Sequence, residues 1–169
     1  SNTPGEWISQ TQPFPTKPLP FDRHGITEDD LIDFTDELKA EALQIVKPYI
    51  LGEIFTPPSI RGNDATDTKG TLQLPGSVGG AEWGGAGFDP ETGMLYSPSV
   101  TGAFAADLTP GNPDRMNVRF TRGTRAFPDG PRGLPLTKPP YGRITAIDMN
   151  TGEHVWMVAN GDGPRNHPA

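Results

Sequence analysis

Glu82 and Trp83 lie within Gly79-Gly80-Ala81-Glu82-Trp83-Gly84-Gly85-Ala86-Gly87, the most unusual local composition in the chain. Glycines on both sides let the backbone approach a flat ligand, the indole offers a stacking face, and the carboxylate offers an acceptor or a base. The same residues also suit a tight crossing between strands with Trp83 packed as core, and taken alone they favour that plainer reading. Asp89 and Asp148, with Thr92 and Thr151, invite a metal or paired-carboxylate reading. Both pairs occupy the same place in a repeated Asp-x-x-Thr-Gly, where turn capping accounts for them better. His24, His154 and His167 are far apart and none has a partner at metal-ligand spacing; His154 is read on a strand, facing outward. Arg115, Arg119, Arg122, Arg125 and Arg132 suit an anionic partner or a solvated loop, the loop being the simpler case. With no Gly-x-Ser-x-Gly elbow and no phosphate loop, the residues alone reveal no catalytic constellation.

The elements that must position these residues follow from local pattern. Ala146-Ile147-Asp148-Met149-Asn150-Thr151-Gly152-Glu153-His154-Val155-Trp156 has a weaker copy at Phe88-Asp89-Pro90-Glu91-Thr92-Gly93-Met94-Leu95-Tyr96. Each copy reads as two strands joined by a tight turn in which glycine takes a positive φ, giving hairpins at 86–99 and about 142–159. A recurring hairpin suggests stacked sheets built from similar units. Leu72 and Leu74 mark a further short strand, and Met116, Val118 and Phe120 alternate as another would. Helix signals cover 27–47: Thr27 caps, Asp30 stands in the capping-box position, and Leu31, Phe34, Leu38, Ala42 and Ile45 form one apolar stripe before Pro48 stops it. Prolines at 4, 13, 15, 18 and 20 make residues 1–26 an extended arm, whose Trp7, Phe14 and Phe21 are too apolar for a free linker.

Composition narrows the function classes. Of 169 residues only 33% are hydrophobic, against 21 Gly and 20 Pro, which predicts long ordered loops on a modest β core or a piece completed by neighbours. A net charge of −7 argues against a nucleic-acid partner. The absence of cysteine excludes disulfides, thiolate metal sites and thiol nucleophiles. No apolar run is long enough to span a membrane, and Ser1-Asn2 opens without an export-signal pattern.

Taken together, Thr11-Gln12-Pro13-Phe14-Pro15, Phe55-Thr56-Pro57-Pro58, Gly79 to Gly85, Phe88-Asp89-Pro90 and the hairpin at 146–156 resemble the pyrroloquinoline quinone (PQQ)-dependent dehydrogenases, the glucose dehydrogenase-like branch in particular. The resemblance covers nearly the whole chain. It implies a mainly β fold, part of an eight-bladed β-propeller: about two blades in 54–169 with a long loop insertion at 100–140, and an arm plus helix in 1–53 packed on them. Ala146 to Trp156 is similar to that family's docking motif, in which Trp156 packs on the neighbouring blade; Tyr96 takes that place, one residue nearer the turn, in the weaker copy. The family implies oxidation of a sugar or alcohol hydroxyl with PQQ and calcium, an aspartate taking the hydroxyl proton, and electrons leaving to a quinone or cytochrome acceptor.

By the same resemblance Glu82 and Trp83 are the cofactor-facing residues, although many relatives carry Asn at the first position. The catalytic aspartate, the basic quinone contact and the calcium ligands are expected in blades upstream of this chain. The reading is therefore an interior to C-terminal portion of a periplasmic dehydrogenase. It is partnered by the remaining propeller blades, binds no nucleic acid, and by itself is inactive and without cofactor. A non-catalytic propeller scaffold that binds protein is the competing class, and a sugar-binding module stacking on Trp7 or Trp83 a weaker third.

Overall fold

A computed structural model describes residues 4, 5, 7, 9–62, 67–81, 83–124 and 126–167. Its regular elements are mainly strands: β1 (Ser59–Ile60), β2 (Thr71–Gln73), β3 (Gly87–Asp89), β4 (Met94–Val100), β5 (Phe104–Pro110), β6 (Phe120–Arg122), β7 (Gly142–Asp148) and β8 (Glu153–Ala159), with a helix α1 (Asp36–Val46). They form two four-stranded sheets. In the first, β5 is central, with β1 parallel and β2 antiparallel on its two sides and β6 pairing its far end; the second runs β3-β4-β7-β8.

Both Asp-x-x-Thr-Gly hairpins belong to that second sheet. β4 pairs with β7 along its length, from Met94 opposite Asp148 to Val100 opposite Gly142, so the hairpins join edge to edge instead of stacking as separate sheets. Each turn is built as its sequence dictates. Asp89 accepts from the Glu91 amide at 3.0 Å and from the Thr92 hydroxyl at 2.6 Å, Asp148 accepts from the Asn150 amide at 2.8 Å, and Gly93 and Gly152 both take φ +72°. These bonds hold both carboxyls below the ordinary aspartate range. The Thr92 hydroxyl contributes most at Asp89 and the Asn150 amide most at Asp148.

The helix is shorter than its pattern suggests. Thr27 and Asp30 do form a capping box, but over a single 3-10 turn, Glu28–Asp30. The chain then leaves helical geometry and starts again at Thr35, whose hydroxyl accepts from the Leu38 amide. The break has a non-local cause. Leu31 forms a bridge with Thr137, the Ile32 amide donates to Leu136 O at 2.9 Å, and Lys138 N donates to Asp30 O at 3.0 Å, so residues 30–32 behave as strand. Burying Leu31 and Ile32 completely outweighs the weak helix propensity of this stretch, and Phe34 is left out of the stripe and exposed.

The apolar core lies between this region and the first sheet. Leu38, Ala42 and Val46 of α1 meet Ile26, Leu31 and Ile32, Leu72 and Leu74 beside β2, Ala105 of β5, and Leu134 and Leu136. The expected strand at Met116 and Val118 starts only at Phe120, and both residues are exposed. The arm follows the second sheet: Lys17 pairs with Glu153, and His154 Nε2 meets Leu19 O at 2.9 Å, so His154 turns toward the arm and not outward. Phe14 packs edge-on against Phe55 at 5.7 Å, whereas Trp7 stays 82% exposed. Among the described residues no helix is long and apolar enough to cross a membrane.

Candidate functional site

The segment from Gly79 to Gly87 leaves β2 and enters β3 along the end of β4. The Val100 amide donates to Gly80 O at 2.8 Å and Ala81 bridges antiparallel to Ser99, which fixes the first half of the segment as a short extra pairing. Beyond it the chain turns with Gly85 at φ +97°, a conformation costly for any residue with a side chain. Trp83 projects from this turn with 96% of its surface exposed. Within the described residues Trp83 is therefore not packed at a strand crossing. Glu82 lies outside the described residues.

A cleft of about 400 Å³ adjoins the segment, walled by Phe14, Phe55 and His24 and closed by Asp22, Gly80 and Ala81. Beneath it is a polar group that local pattern did not announce. Arg143 of β7 and Asp22 of the arm form an ion pair at 3.4 Å with side chains only 6% and 5% exposed. Thr101 bridges them, donating from Oγ1 to Asp22 Oδ1 at 2.7 Å and accepting from Arg143 Nη2 at 2.7 Å. Asp22 Oδ1 also accepts from the Arg23 amide. Asp22 Oδ1 is thus engaged within the fold.

A second buried carboxylate, Asp107 on β5, accepts from Arg61 Nε at 2.6 Å and from the Thr124 amide at 3.2 Å. The carboxylate lies so close to Gly123 that a Cβ there would sit 1.9 Å from Asp107 Oδ2, so this pairing requires glycine. Of the arginines singled out by sequence, Arg115 and Arg122 are exposed, Arg119 donates to Pro4 O, Arg132 pairs with Glu41, and Arg125 lies outside the described residues. They do not converge, as a solvated loop predicts. His24 touches Phe14, and His167 meets Arg132 O.

What the arrangement offers a ligand is one free aromatic face with almost no side chain beside it. That fits the flat ring system of a quinone on one side. Among the described residues no three His, Asp or Glu side chains come together as a metal ion requires, so they do not fit calcium.

The model of the PQQ glucose/ethanol/alcohol dehydrogenase beta-propeller domain matches residues 1–169. The chain is 31% identical to quinoprotein glucose dehydrogenase A of Acinetobacter calcoaceticus over 91% of its own length and 20% of that protein's. It is 32% identical to the quinoprotein glucose dehydrogenase of Escherichia coli K12, covering 90% of this chain and 20% of that one. To the glycerol dehydrogenase large subunit of Gluconobacter oxydans it is 30% identical, covering 98% and 25%. The chain spans a fifth to a quarter of the length of these relatives.

Proposed function

The chain belongs to the PQQ-dependent glucose, ethanol and alcohol dehydrogenase β-propeller family, and from that premise we propose that it forms part of a periplasmic enzyme oxidising a sugar or alcohol hydroxyl, with electrons passing to a quinone or cytochrome acceptor. The observation that carries the reading is the indole of Trp83, held clear of the fold in a glycine frame. When bound, PQQ supplies the two-electron sink for the oxidation. Trp83 supplies one stacking face for it, and Glu82 stands next to that face in sequence. Gly84 and Gly85 keep the approach open, and the pairing of Gly80 and Ala81 to β4 sets the height of the indole.

In this reading the proton acceptor for the substrate and the calcium ligands come from the rest of the ring. Relatives named as glucose and glycerol dehydrogenases favour an enzyme over a protein-binding scaffold. The test is Trp83→Ala in the full-length enzyme. Titration with free PQQ should show affinity weakened about ten-fold, in keeping with one lost aromatic stack; unchanged affinity and unchanged turnover would remove Trp83 from the site.

A further inference from the structure

We propose that the buried Asp22–Arg143 pair is a buttress that sets the position of the Gly80 to Trp83 segment, which makes Asp22 a positioning residue for Trp83. The inference rests on the reading of Trp83 as the quinone-facing residue and extends it to the groups that hold it there.

Three observations converge. The first is that the pair is almost fully buried and locked by Thr101, so the Asp22 carboxylate has one orientation. The second is that Asp22 Oδ2, the oxygen turned away from Thr101, has no hydrogen-bond partner among the described residues and is completely enclosed. Gly80 lies beside it: a Cβ added there would stand 3.1 Å from Oδ2, so a side chain at this position would press on the carboxylate. The third is that Thr101 directly follows Val100, whose amide holds Gly80 O at 2.8 Å. Gly80 is therefore held by the Val100 amide on one side and limited by Asp22 Oδ2 on the other, and Trp83 follows three residues later.

A buried ion pair with an unsatisfied oxygen is a poor device for stability, because desolvation offsets most of its attraction. It is a good device for fixing one geometry. Residues 22, 80, 101 and 143 come from the arm, the glycine segment, the loop after β4 and the start of β7, and they meet at this pair. Asp22→Asn removes the charge while keeping an acceptor for Thr101. Gly80→Ala presses on the carboxylate from the segment side without altering the pair.

In the full-length enzyme, hydrogen exchange at the Val100 amide should become about ten-fold faster in both variants, while exchange within α1, which reports global opening, keeps its rate. Should Asp22→Asn fail to fold, Thr101→Val removes the bridging hydroxyl and carries the same expectation. Unchanged exchange at Val100, or acceleration shared equally by α1, overturns the buttress. Titration with free PQQ separates the two proposals. Weakened affinity together with the local acceleration supports both, whereas local acceleration with unchanged affinity leaves the buttress standing and removes the quinone from Trp83.

Discussion

The two sheets solve burial in opposite ways. The first is covered by α1 and the segment at 134–136, and its apolar residues meet in one core. The second contributes nothing to that core, and its two faces are inverted relative to an ordinary two-layer domain. One face carries Ser97, Ser99, Arg143 and Thr145 beside Ile147, all buried. The other carries Tyr96, Ala146 and Trp156 in one cross-strand row and Ile144 and Val158 in the next, with Trp156 41% and Val158 49% exposed. The sheet buries hydroxyls and a charge while leaving Trp156 and Val158 exposed. The difference separates a sheet covered by other residues of this chain from one they leave bare.

The comparison can be broken most directly in its covered half. Leu38→Ala should cost about 2–5 kcal/mol, since it opens a cavity in the apolar core, while Val158→Ser on the uncovered face should move the isolated chain by no more than about 0.5 kcal/mol. Urea unfolding of both variants measures this, and equal losses would show that the second sheet is not bare. Next in size is Ala146→Leu. Ala146 lies fully buried between Tyr96 and Trp156, whose ring centroids are 5.7 Å apart, because only a small residue lets the two rings lean together.

A leucine there should force them apart at a cost of about 1–3 kcal/mol, with a shifted Trp156 emission. A mild, purely additive effect would mean that the rings do not depend on the alanine. The smallest effect is pH-dependent and touches only the turns of the second sheet. Both turn aspartates are held below the ordinary range, so their contribution is complete above that range and fades as pH falls through the lowered folded values. Exchange at the Gly93 and Gly152 amides should rise only in that acid window, before α1 responds; a rise near neutrality would contradict the turn-capping role.

The hairpin at 142–159 was legible almost residue for residue because its signal, an Asp and a Thr around a glycine of positive φ, is entirely local. The helix was legible at its C-terminal end, where Lys47 and Pro48 stop it, but not at its start, where Leu136 and Thr137 capture Leu31 and Ile32 from a hundred residues away. β5 was hidden inside the excursion from 100 to 140, since two of its partners, β1 and β2, lie outside that excursion and only β6 lies within it. Trp83 stood out by its glycines, yet nothing in the sequence separated a presented indole from a packed one. The Asp22 and Arg143 pair left one trace: a charged residue at an inward position of β7, in register with Thr145 and Ile147, which demands a distant counter-charge.

The arm carries a consequence for the order in which this protein can assemble. Lys17, Leu19 and Asp22 find their partners at Glu153, His154 and Arg143, residues more than a hundred positions later in the chain. The turns at Asp89 and Asp148 can close as soon as they are made, but these three contacts of the arm wait for the hairpin at 142–159. Such distant closure slows the final step relative to the local ones. The buried network of Asp22, Thr101 and Arg143 accordingly closes only in a chain that has been made as far as β7.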